Sequence, residues 1–224
     1  MTTLVLALYA EGRTDERFLP IVIQRTAEQL LVQRGRITVD VLEPIVLNDI
    51  KDRASTQAER ILEAARLSSG YHILIIHADA DHSTPERALN ERIQPGVKLV
   101  QQSKEPVCSR LVPIIPVRMT EAWLLADPEA LRVVIGTDLE IQSLGLPERA
   151  HQVESILDPK QALREAIQRA LAHRPRRRRR IDLGTVYEPL ARQISLKRLD
   201  AVPAYQLFVT YMTETLIGLN LLSD

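Results

Sequence analysis

ILIIHADAD, residues 73–81, is the stretch whose reading decides the fold. A run of aliphatic residues stops on two acids, Asp79 and Asp81, and LVLALYAEG, residues 4–12, stops in the same way on Glu11. Short apolar runs that end abruptly on polar residues read as buried strands. If the two strands are parallel neighbours, their carboxylates gather at one edge of the sheet, where open α/β folds place their sites. Acids gathered in this way either hold a hard divalent cation or repel one another at a cost, so the pattern points to Mg²⁺.

Outward from these runs, strand and helix signals alternate. Leu4 to Ala10 reads as a strand, and Thr14 as the cap of a helix with Asp15 and Glu16 in its first turn and Phe18, Leu19, Ile21, Val22 and Leu30 on its apolar face. Ile37 to Leu47 reads as a second strand, broken near Pro44. Ala58, Ile61, Leu62 and Ala65 mark a helix that Gly70 closes. Tyr71 to Ala78 is the third strand, and Val107 to Val117 contains a fourth. This alternation predicts an α/β fold, a mostly parallel sheet flanked by helices. Beyond Asp127 the signals become helical, at Pro128 to Ile135, Pro159 to Leu171 and around Tyr205, Phe208, Met212 and Leu216. The expected organisation is an α/β core over residues 1–127 and a helical C-terminal extension over 128–224, packed on that core.

Composition narrows the function classes. The chain has 224 residues, 45% of them hydrophobic, and its 29 basic and 29 acidic side chains cancel, so whole-chain charge gives no case for polyanion binding. The distribution is uneven, with six arginines among residues 174–180. The single cysteine, Cys108, excludes an internal disulfide and any zinc cluster built on cysteines. No apolar run approaches the roughly 18 residues that a membrane helix needs. A soluble, cytoplasmic protein is expected.

The motifs together resemble the Toprim domain shared by topoisomerases, bacterial primases and the OLD-family (overcoming lysogenization defect) nucleases. In that fold a Glu follows the first strand and an Asp-x-Asp follows the third, positions that YAEGRTDERFL (9–19) and IIHADAD (75–81) match. The form of the first motif is similar to that of OLD-type nucleases. IPVRMTEAWLLADPEAL (115–131) and DPKQALREAI (158–167) resemble a Toprim-like family catalogued as domain of unknown function 4276. The resemblance implies a Mg²⁺- or Mn²⁺-dependent phosphodiester hydrolase acting on nucleic acid. Glu11, Asp79 and Asp81 would be catalytic, and Glu11, Asp15, Asp79, Asp81 and Glu121 would be the metal ligands. It also implies an ATPase partner and a role in phage defence. The additional basic and acidic motif of OLD nucleases has no clear counterpart, which leaves one- and two-metal versions open.

Each residue also has a plainer reading. Asp15 and Glu16 suit the first turn of a helix, where acids meet the helix dipole, and Glu121 has the same option after Thr120. His77 shares a strand face with Asp79 and Asp81, yet a packing or hydrogen-bonding role is the simpler expectation, and Trp123 reads as a core residue. Lys51, Arg53 and Arg118 follow strands and are candidates to hold phosphate, against a solvated rim. Arg176, Arg177, Arg178, Arg179 and Arg180 suit sequence-independent contact with a nucleic-acid backbone, against an acidic partner or a solvated loop. The rival from another class is a non-catalytic binding subunit of an ATPase assembly. Nucleotidyl transfer is a third option, although no phosphate-binding glycine loop is visible.

Overall fold

The structure, a computed structural model, describes residues 2–48, 50, 53–172 and 181–223. Lys51, Arg176, Arg177, Arg178, Arg179 and Arg180 lie outside the described residues.

Strand β1 (Thr2–Leu4) runs into β2 (Leu6–Tyr9) across Val5. There His72 takes both backbone groups, accepting from the Val5 N–H at Nδ1 and donating its own N–H to the Val5 carbonyl, each at 3.0 Å. The second strand is divided as expected around Pro44, into β3 (Val39–Val41) and β4 (Ile45–Val46). A proline cannot donate to the ladder and belongs on an edge strand. With β5 (Ile73–His77) and β6 (Leu111–Ile114), the pairings are β1–β3 in one ladder and β4–β2–β5–β6 in the other, all parallel.

Parallel strands are buried on both faces, and the two sets of side chains separate cleanly. Leu6, Leu8, Ile73, Ile75, Val112 and Ile114 belong to one core cluster, Ala7, Tyr9, Leu74 and Ile76 to the other. The first face is covered by α1 (Asp15–Arg34), α5 (Glu121–Leu124) and the helices beyond residue 127: α6 (Pro128–Ile135), α7 (Pro159–Leu171), α8 (Tyr187–Gln193), the short α9 (Leu196–Leu199) and α10 (Pro203–Gly218). Trp123 sits at its centre, fully buried and edge-on to Tyr205 at a ring separation of 5.3 Å. The second face is covered by α2 (Gln57–Leu67) and by a helical segment formed from α3 (Glu86–Ala88), a π turn (Leu89–Ile93) and α4 (Gln94–Gln102). Among the described residues, no helix is long and apolar enough to cross a membrane.

Two expected caps are absent. Thr14 and Thr120 have helical backbone angles and make no side-chain capping bond. By contrast, Thr56 begins α2 with a full capping box, exchanging bonds with Glu59. The helical segment over 86–102 has no counterpart in the sequence reading, because Pro95-Gly96 interrupts it like a turn. The π turn explains how the helix survives. The Gln94 N–H reaches back five residues to the Leu89 carbonyl, so the chain is already widened where Pro95 removes a donor.

Gly96 allows α4 to lie against α2, since a β-carbon there would sit 2.6 Å from the Ile61 β-carbon. Gly96→Ala should therefore cost about 1–3 kcal/mol of stability, the usual penalty for overpacking. Urea denaturation checks this: a lowered midpoint with an unchanged slope is expected.

Candidate metal centre

The strand order reverses between β2 and β5, because the chain leaves β2 toward the β4 edge and then returns to the other side as β5. Beyond the carboxyl ends of such a pair the crossovers diverge and leave a crevice. Glu11 and Asp79 follow these two strands by two residues each.

His77, the last residue of β5, faces the α1 side by alternation from Ile73 and Ile75, and is fully buried. Nδ1 accepts from the Glu11 N–H at 3.4 Å and lies 3.8 Å from Asp15 Oδ2. On the other side of the ring, Nε2 is 3.3 Å from Asp79 Oδ1 and 3.2 Å from the Thr120 hydroxyl. The neutral ring thus carries its proton on Nε2, where it can donate to Asp79. Asp79 Oδ1 also accepts the Thr120 N–H at 3.0 Å, which is the work Thr120 does in place of capping. Glu11 closes the circle, its Oε2 accepting from the Asp79 N–H at 3.4 Å.

Asp15, His77 and Asp79 form a group able to hold a metal ion, each offering one ligand atom with all three within 4.8 Å of one another. The donor set suits a cation. Asp15 is buried at the start of α1, and burial pushes its carboxyl up to about 6, opposed by His77 and assisted by the Asp79 carboxylate. Burial also works against a charged His77 ring, but Asp79, Asp15 and Glu11 outweigh it and the pKa is raised. Asp15 thus bears the cost of burial and of the Asp79 carboxylate beside it, which a protonated His77 offsets and a bound cation would offset in its place.

The other candidates surround this group. Asp81 points outward, its side chain 72% exposed, and bonds Arg92 at 2.9 Å. Its backbone is left-handed, with φ of 52°, as is that of Arg118 with φ of 61°. The two are laced together, the Asp81 N–H donating to the Arg118 carbonyl. Glu121 is buried on α5, accepting from the Tyr187 hydroxyl at 2.5 Å and lying 3.6 Å from Lys160 Nζ. Arg53 is directed to α2, where it pairs with Glu63 at 3.4 Å. Three participants escaped the sequence reading. Arg92, on the π turn, bonds Glu11, Asp81 and the Asp79 carbonyl. Tyr187 and Lys160 come from the helices beyond residue 127; DPKQALREAI was a signal for the latter. Asp127, at the end of the TEAWLLAD stretch, is a clamp: it caps α6 through the Ala130 N–H and accepts the Ser195 N–H at 3.0 Å.

Two predictions follow from this geometry. A β-carbon on Gly12 would stand 2.7 Å from Asp15 Oδ2. Gly12→Ala should therefore turn the carboxylate aside and weaken Mn²⁺ binding roughly tenfold, as loss of an orienting contact does, measured by calorimetry. The second concerns pH. The folded state holds the Asp15 proton more tightly than the unfolded chain, whose value is 3.8. That contribution to stability is complete below about pH 3.8 and lost as pH rises through about 6. The raised pKa of His77 acts in the same direction at higher pH. Asp15→Asn should remove the first loss and stabilise the metal-free protein by roughly 1–3 kcal/mol near neutral pH, with no gain below about pH 4. Denaturant titrations across that range are the check.

Comparison with known proteins adds one positive finding. A family model described as "Domain of unknown function (DUF4276)" matches residues 10–213, a span holding Glu11, Asp15, His77, Asp79, Arg92, Glu121, Lys160 and Tyr187. No curated protein and no solved structure matches the chain. The extent of the family match shows that this chain belongs to the DUF4276 family.

Proposed function

We propose that this chain is a metal-dependent phosphodiester hydrolase acting on nucleic acid, with a Toprim-like core related to that of the OLD-family nucleases. The observation that carries the reading is the gathering of Asp15, His77 and Asp79 at the switch point between β2 and β5, with Glu11, Asp81 and Glu121 around them. Asp15, Asp79 and His77 would hold the ion. The imidazole nitrogen beside two carboxylates favours Mn²⁺ over Mg²⁺, which prefers oxygen donors and retained waters. A divalent cation there supplies charge stabilisation to the attacking and leaving oxygens of a phosphodiester.

The chain's own residues would divide the remaining work. Glu11 is partly exposed and would be the group that moves a proton at its carboxylate. Glu121, held by the Tyr187 hydroxyl and Lys160, keeps a second carboxylate on the opposite flank. Burial and Glu121 push the Tyr187 phenol well above its usual range, so it remains a donor. Arg118 would meet the phosphate backbone beside the crevice, with Lys51, Arg53 and the arginines at 176–180 as outlying contacts. The resemblance to OLD-type nucleases further supports an ATPase partner and a place in phage defence as part of the proposal.

Calorimetry with Mn²⁺ on wild type and Asp79→Asn tests the reading first. The variant should bind at least roughly tenfold more weakly and should lose cleavage of a labelled nucleic-acid strand. Equal Mn²⁺ affinity in the two proteins would sink the proposal. Mn²⁺ binding without cleavage, even with the ATPase present, would favour the non-catalytic subunit.

A further inference from the structure

Arg92 is the cation already inside the acidic ring. Its guanidinium bonds a Glu11 carboxylate oxygen, Asp81 Oδ2 at 2.9 Å and the Asp79 carbonyl at 2.6 Å. The π turn that carries it is a local departure from helix geometry of the kind often found at functional sites. Arg92 also lines a cleft of about 310 Å³ with Ala80, Asp81, His82, Arg87 and Glu91. The neighbouring Arg87 is paired with Glu91 at 2.9 Å, which leaves Arg92 as the cleft's cation that touches the acids of the crevice.

We infer that Arg92 couples cation loading to phosphate capture at this site. The inference rests on the cation reading above and adds a residue and a sequence of events to it. Arg92 bonds the carbonyl of Asp79 and a carboxylate oxygen of Glu11, whose other oxygen accepts the Asp79 N–H. A divalent cation held by Asp15, His77 and Asp79 would therefore repel its guanidinium and compete with it for Glu11. Arg92 then gives up Glu11 and Asp81 and turns to the cleft, where its planar fork fits the two oxygens of a backbone phosphate. Glu11 is held by Arg92 or drawn to the cation in turn, so the substrate's phosphate meets a free guanidinium only when the cation is in place. Cation and phosphodiester therefore strengthen each other's binding, and the effect is reciprocal.

The test measures binding, with Mn²⁺ alone as one probe and fluorescently labelled oligothymidine as the other. Arg92→Gln removes the competing charge and should bind Mn²⁺ roughly 5-fold more tightly than wild type or better. In wild type, Mn²⁺ should raise oligothymidine affinity by a similar factor, and most of that gain should be lost in Arg92→Gln, leaving the cation's own attraction for the phosphate. Arg92→Lys keeps the charge without the fork, so it should keep Mn²⁺ affinity closer to wild type while losing most of the oligothymidine gain. Mn²⁺ affinity that is unchanged or weaker in Arg92→Gln overturns the inference, as does an oligothymidine gain that survives the substitution undiminished. Mn²⁺ binding lost in Asp79→Asn but unaltered in Arg92→Gln rejects this inference alone. An absence of Mn²⁺ binding in wild type rejects it together with the function it rests on.

Discussion

Two parallel strands lying side by side in the middle of a sheet have no solvent on either face, and β2 and β5 are such a pair. The acids must wait until the ladder ends, and both strands end within two residues of one, while His77 joins them from the last rung of β5. Because the crossovers on either side diverge, the junction opens into a crevice. The crevice is thus a product of strand order, and the acids occupy it because the aliphatic runs stop in register. Tyr9 pairs with Ile76, so Glu11 and Asp79 leave the sheet nearly level with each other.

That placement creates an electrostatic problem, and much of the surrounding structure answers it. His77 is wedged between Asp15 and Asp79, Tyr187 donates to Glu121, Arg92 pairs with Asp81 and Lys160 lies beside Glu121. Several of these partners come from segments remote in sequence, which ties the helices beyond residue 127 to the sheet through chemistry as well as packing. The same arrangement explains why the fold tolerates a buried carboxyl at Asp15: its neighbours keep the local charge adjustable by proton or cation.

Much of the sheet was legible because its signals are local. Aliphatic runs of four to five residues and Pro44 at the break in an edge strand each carry their meaning within a few residues. The acids at the strand ends were legible for the same reason. Thr14 and Thr120 misled because a hydroxyl before a helix has more than one use, and Thr120 is drawn to His77 and Asp79 by tertiary structure. Arg92 was invisible because Pro95-Gly96 disguises its helix, and Tyr187 because it stands 66 positions beyond Glu121 with no mark of their meeting in between. His77 is the packing and hydrogen-bonding residue that was expected, and its further place beside Asp15 and Asp79 depends on what lies across the ring.

Asp81 and Arg118, the two left-handed residues that lace the loop above the crevice together, have a consequence for anyone dissecting the site by substitution. Backbone of this kind is several-fold more acceptable to Asp and Asn than to residues such as Ala. Exchanging Asp81 for Ala would alter two things at once, the carboxylate and the conformational preference of the loop that aligns the Arg118 carbonyl. The resulting loss would overstate what the charge contributes. Asn at 81 keeps the backbone preference and isolates the charge, so the amide replacement is the informative one.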